Sequence, residues 1–165
     1  MPQIETIEYI QAPPQIVWDF ISDLQRVPEW VAVTKQMLHV STPEVSEGTV
    51  YRELTQVGSR LVETAWEVTT FRAPHVQVHK HHSATMDMVL TLTVTPEKNG
   101  TRFVHHTEYR LLPTFRPLGW LMERMFFHRR NVHDMRICIQ AVKRIVEHEF
   151  EDMRRPTAST RLSTS

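Results

Sequence analysis

The sequence is poor in the residues that carry the common covalent and nucleotide chemistries. It has one cysteine, Cys138, so no intramolecular disulfide can form, and a reducing compartment fits. It has no C-x-x-C pair, no Gly-rich phosphate loop and no G-x-S-x-G elbow, which argues against nucleotide-dependent chemistry and covalent serine catalysis. Neither sign of charge is in excess. Lys+Arg and Asp+Glu each number 19, where a nucleic-acid binder shows a basic surplus or stripe. No run reaches the ~18 apolar residues of a membrane span. Met1 to Glu8 carries acids and lacks the apolar core of a signal peptide. The expectation is a cytoplasmic protein with no membrane span and no nucleic-acid partner.

What is present suits one globular domain. The chain has 165 residues, 41% of them hydrophobic and 23% charged, enough to bury a core without staples. Ten histidines are the compositional oddity, and they make the chain cationic as pH falls through about 6.5.

Gln3 to Gln11 reads as a strand. Pro13 and Pro14 then suit the first turn of a helix, where a missing N–H costs nothing. Ile16, Val17, Phe20, Ile21 and Leu24 fall on one helical face, and a second short helix is predicted over Arg26 to Val31. From Thr34 to Leu112 the pattern is a β-meander. Its later strands are Val50 to Val57, Leu61 to Phe71, Val76 to His82, Thr85 to Thr95 and Arg102 to Leu111. Glu47-Gly48, Gly58-Ser59 and Asn99-Gly100 separate strand-like runs, and Asn-Gly predicts a tight hairpin because both residues accept positive φ. Met86, Met88, Leu90, Leu92 and Val94 alternate with polar residues, as do Val62, Thr64, Trp66 and Val68, giving the sheet one apolar face. After Pro117 the period becomes helical, and a stripe from Leu118 to Phe150 predicts one helix from Pro117 to Glu151. The expected domain is 1–153, with 154–165 a Ser/Thr-rich disordered tail.

A seven-stranded antiparallel sheet needs its apolar face covered, and the long helix is the one element large enough. A twisted sheet curves around such a helix. A bent layer and a straight rod cannot touch everywhere, so a gap is expected between them, and such gaps bind small ligands.

Ala12-Pro13-Pro14, Val17-Trp18, Ile21-Ser22-Asp23-Leu24 and Pro28-Glu29-Trp30 together resemble the opening of the START-like helix-grip (SRPBCC) superfamily. The similarity is nearest to its polyketide cyclase/dehydrase and lipid-transport branch. Gly48-Thr49, Gly100-Thr101, Glu108-Tyr109-Arg110 and the segment Lys143 to Glu147 resemble its later signposts, so that the likeness spans Ile4 to Phe150. It implies an α+β helix-grip fold: a seven-stranded curved antiparallel sheet, two short helices and one long C-terminal helix over a cavity. Members bind lipids, sterols, quinones, plant hormones or polyketides. Some cyclise or dehydrate the bound molecule and many are carriers. The family has no shared catalytic motif to carry over, and fold alone does not settle function.

Several residues are candidates for the chemistry. Phe103, His105 and Tyr109 share one face of the last strand. An imidazole and a phenol in an apolar pocket could form an acid–base pair or anchor a ligand; a hydrogen-bonded core histidine is the plain alternative. In the long helix the apolar stripe is interrupted between Met125 and Val132, at His128 and Arg129. Arg129 there either meets a polar head group or snorkels to the rim. Trp66, Met88, Leu90 and Phe103 on the sheet, with Phe115, Met122, Met125 and Phe126 at the start of the helix, are the expected apolar lining. In the cluster His79, His81 and His82, the first two share one strand face and could suit a metal with His105 as a third ligand. However, the intervening Thr85–Thr95 strand weakens that geometry, and Val76 and Val78 claim the inner face, which leaves these histidines outside. No metal and no cofactor is expected, and Cys138 reads as a packed thiol. The leading expectation is a binder of a small hydrophobic molecule. A cyclase or dehydratase acting on a bound carbonyl compound comes second and a protein-interaction module third. The oligomeric state stays open, a dimer among the options.

Overall fold

The computed structural model describes the backbone of residues 2–112 and 117–155, and the side chains of residues 2–112 and 129–155. The order of elements is β1 (Gln3–Ile10), α1 (Pro14–Ser22), a 3-10 turn (Leu24–Arg26), α2 (Val27–Trp30), β2 (Thr34–Val40), β3 (Val50–Val57), β4 (Arg60–Arg72), β5 (Val76–His82), β6 (Met86–Glu97), β7 (Gly100–Leu111) and α3 (Pro117–Arg154). The strands form one sheet in the order β1-β7-β6-β5-β4-β3-β2. Every pairing is antiparallel. The result is the expected α+β helix-grip arrangement of a curved open sheet, short helices and a long C-terminal helix.

Local chemistry explains the elements. Pro14 starts α1, which buries Val17, Trp18, Phe20 and Ile21. The helix stops at Ser22, and the Asp23 carboxylate accepts the Gln25 N–H at 3.0 Å to open the 3-10 turn. Along α3, Met135, Cys138, Ile139, Val142 and Val146 are buried, at the spacings of three and four that make one helical stripe. Each buried aliphatic side chain contributes roughly 1.5–3 kcal/mol.

Charged groups then fix the position of that helix. Lys143 Nζ donates to the Tyr9 carbonyl at 2.6 Å and to Glu8 at 3.2 Å. The Gln11 N–H donates to Glu147 at 2.7 Å. Arg26 bridges Glu29 and Glu149 and lies 4.3 Å from the centre of the Phe20 ring. Part-exposed pairs of this kind are worth about 0–1 kcal/mol each. Packing therefore holds α3 down, and the charges set where along the sheet it sits.

Two sequence expectations change. The last hairpin turns one residue early: Glu97 pairs with Gly100, and Lys98, not Asn99 or Gly100, carries the positive φ of 52°. Gly100 is needed for room instead. A Cβ there would press on the Ile10 carbonyl oxygen and lie 2.7 Å from Tyr9 Oη.

The second change concerns β5. Gln77, His79 and His81 are buried, while Val76 and Val78 are only half-buried. His79 pairs with Val68 on one side and Leu90 on the other, both of which stand on the concave face. The expectation that His79 and His81 face outward is therefore overturned. Lys80 shares the parity of Val76 and Val78 and is exposed. Burying its ammonium would cost more than burying neutral imidazoles that find partners.

Candidate ligand-binding site

The concave face is apolar along β6 and polar along β3 to β5. Register places Tyr51 beside Trp66 and Glu53 beside Thr64, then His79 beside Leu90 and His81 beside Met88. Next come Tyr109 beside Met88 and His105 beside Leu92. Trp66, Met88 and Leu90 stay only half-buried although they stand on this face.

Glu53 is the centre of the polar side. Its Oε2 accepts from Thr34 Oγ1 at 3.0 Å. Its Oε1 accepts from Trp66 Nε1 at 3.1 Å, from Thr55 at 3.2 Å and from Thr64 at 3.3 Å. Thr55 and Thr64 also lie 2.7 Å apart. Two hydroxyl protons serve three contacts when the carboxyl is ionised, and a protonated Glu53 supplies the third. Burial raises the Glu53 pKa, against the four hydrogen bonds that lower it.

A directed chain runs beside it. Gln77 Nε2 donates to the Ile21 carbonyl at 3.3 Å, which leaves Gln77 Oε1 as an acceptor. His79 Nε2–H donates to that oxygen at 3.2 Å. His79 Nδ1 then has only a lone pair, and Tyr51 Oη donates to it at 3.0 Å. Burial lowers the His79 pKa to about 4, so the ring stays neutral, and burial raises that of Tyr51. Both ring nitrogens of His79 are thus engaged, which removes it as a metal ligand. Among the described residues no group of three His, Cys, Asp or Glu is placed to hold a metal ion.

His81 Nδ1–H donates to the Ala65 carbonyl at 2.8 Å. The Trp66 ring lies between its neighbours, 6.4 Å from Tyr51 and nearly parallel to it, and 5.2 Å from His81.

The remaining polar atoms are less settled. His105 Nδ1, Trp30 Nε1 and Asn131 Nδ2 are buried without a partner from the protein. Trp30 stands edge-on to His105 at 6.3 Å. Burial, with His106 and His79 nearby, lowers the His105 pKa to about 4.

Phe103, His105 and Tyr109 share the concave face and are buried. Arg129 is exposed. At ~100° per residue it lies about 120° around α3 from the buried Met135, whereas Asn131 lies within about 40°. Among the described side chains the inward polar position is therefore Asn131, four residues back from Met135. The side chains of Phe115, Met122, Met125, Phe126 and His128 lie outside the described residues, as does most of the expected 154–165 tail. Sequence reading also missed Tyr51, Glu53 and Gln77. A separate surface cleft of about 930 Å³ lies between α1 and β2, lined by Trp18, Met37, Val45 and Phe71 among others, and contains none of these groups.

A curved antiparallel sheet gripping one C-terminal helix, with polar groups buried along its concave face, defines a helix-grip protein. Residues 1–147 match the family described as polyketide cyclase / dehydrase and lipid transport, and the chain belongs to that family. An uncharacterized protein of Mycobacterium tuberculosis is 25% identical over 120 residues, 72% of this chain and 84% of its own. TTHA0849 from Thermus thermophilus has a similar fold, with a TM-score of 0.75 at 18% identity, over 90% of this chain and 99% of that one. The di-domain ARO/CYC StfQ from the steffimycin biosynthetic pathway has a TM-score of 0.73 at 12% identity, over 89% of this chain and 51% of that one. No helix among the described residues is long and apolar enough to cross a membrane.

Proposed function

We propose that the chain binds a small hydrophobic molecule, lipid-, quinone- or polyketide-like, between the concave face of the sheet and α3. The observation that carries this reading is the half-burial of Trp66, Met88 and Leu90 beside buried polar atoms that lack a protein partner. A face closed by its own packing would bury the first set and pair the second. Family membership supports the same reading.

Apolar contact alone gives weak binding. Covering about 300 Å² of ligand at about 25 cal/mol/Å² gains about 7.5 kcal/mol, and association costs at least about 4 kcal/mol of that. A polar anchor is required, and the buried groups around Tyr51, His81, Trp30 and Asn131 offer one. Native mass spectrometry of protein purified from its own host tests the reading. A co-purifying lipid-like mass is the expected result. Its absence, together with unchanged tryptophan fluorescence on titration with hydrophobic probes, would count against it.

A second reading is a cyclase or dehydratase that uses His105 and Tyr109. In its favour, His105 Nδ1 is unpartnered, Tyr109 lies four residues further along the same strand face, and the similarly folded StfQ is a di-domain ARO/CYC of the steffimycin biosynthetic pathway. Against it, an imidazole whose pKa is lowered to about 4 is a weak base at neutral pH. Loss of turnover in both His105→Gln and Tyr109→Phe, with ligand binding retained, would favour the enzyme.

A further inference from the structure

Resting on the binding reading above, we propose that the Tyr51–Trp66–His81 wall selects a ligand that brings its own hydrogen-bond donor, an aryl or alkyl hydroxyl, and rejects a carboxylate. The argument is a count of protons. Every donor on this wall is already committed inside the protein. The Tyr51 O–H goes to His79, the Trp66 N–H to Glu53 and the His81 Nδ1–H to Ala65. Thr34, Thr55 and Thr64 place theirs on Glu53 or on one another. Protonating Glu53 leaves no donor over, since the added proton fills the third contact of the threonine triangle.

The direction of the chain is fixed from outside the site. Turning the Gln77 amide around would set its carbonyl against the Ile21 carbonyl, so His79 keeps its Nε2–H and Tyr51 keeps donating to Nδ1. In the tautomer that donates Nδ1–H to Ala65, His81 presents a lone pair on Nε2 beside that of Tyr51 Oη, so the wall offers a ligand acceptors. A hydroxyl satisfies one of them. A carbonyl or ether oxygen meets lone pair against lone pair. A carboxylate meets, in addition, the acidic Glu53 in a setting that already disfavours charge. Trp66 provides the flat apolar surface beside these acceptors, which suits a hydroxyl on an aromatic ring.

The test uses three probes of nearly equal shape: beta-naphthol, its methyl ether and the corresponding naphthoate. Binding to the 165-residue chain is measured by calorimetry and by quenching of tryptophan fluorescence. The naphthol is expected to bind about tenfold more tightly than the ether, the scale of one buried hydrogen bond, with the naphthoate weakest. In His81→Phe that preference should fall toward unity, with far-UV circular dichroism and the urea midpoint reporting that the variant is folded. Tyr51→Phe is the second variant, should His81→Phe not fold. Equal binding of naphthol and ether to the unaltered protein, tighter binding of the naphthoate, or a preference that survives in both variants overturns the proposal and leaves the binding reading intact. Binding of none of the three overturns both.

Discussion

Acid should unfold this protein through two buried imidazoles. His79 and His105 sit in the fold with pKa values lowered from 6.5 to about 4, chiefly by burial. Between those values the unfolded chain holds a proton on each ring and the folded chain does not. Stability is therefore complete above about pH 6.5 and is lost as pH falls toward 4. Each ring contributes about 3 kcal/mol to the change, at about 1.4 kcal/mol for a tenfold difference in proton affinity. The pair together comes to about 6 kcal/mol, a large part of the ~5–15 kcal/mol that holds a typical domain. Glu53 acts with the opposite sign. Its raised pKa makes the folded state the better proton binder above about pH 4.5, and this offsets part of the loss. Urea titrations followed by tryptophan fluorescence at pH 7.5, 6.5, 5.5 and 4.5 should give a midpoint that is flat over the first step and then falls. His79→Phe removes one of the two rings. It should be less stable at pH 7.5, because Tyr51 loses its acceptor at a cost of about 1–3 kcal/mol, yet show a shallower decline toward acid. A midpoint independent of pH from 7.5 to 4.5, or an undiminished decline in His79→Phe, would refute the reasoning.

Two further outcomes follow from packing. Gly100→Ala should destabilise by about 1–3 kcal/mol, the usual cost of overpacking, because the new methyl meets Ile10 backbone and Tyr9; thermal unfolding checks this, and an unchanged melting temperature would be the wrong result. Cys138 is buried and its thiol is pushed up to about 11, mainly by burial. A disulfide reagent at pH 8 should leave it unmodified in the folded protein and react at once in urea.

The architecture was legible because it depends on patterns spread over many residues. The shift from alternation to a helical stripe after Pro117, and the prolines before α1, each repeat one message several times. The site was harder to read because it depends on single parities. In β5 the valines at 76 and 78 suggested the inner face, and only Lys80 on the same parity argued otherwise. In β3, Val50 and Leu54 outweigh Tyr51, Glu53 and Thr55 in hydrophobicity, yet the latter three face inward because hydroxyls and an indole N–H from two other strands reach Glu53. Such partners lie up to 19 positions away in sequence, and local pattern cannot see them. In α3 the gap in the apolar stripe is visible in the sequence, and spacing puts it at His128 and Arg129; Arg129 is exposed and Asn131 buries its amide nitrogen, a difference of phase that an interrupted stripe does not fix.

The place of β1 has a consequence for how the chain is made. Thr6 reaches its neighbour His105 across 99 positions, so the first strand leaves the ribosome long before β7 exists to receive it. Throughout that interval its N–H and C=O groups are open to any passing chain. Glu5 and Glu8, set among Ile4, Ile7 and Ile10, put negative charge on what would otherwise be a sticky ribbon. Neutralising them should harm the yield of newly synthesised protein more than the endurance of the finished one.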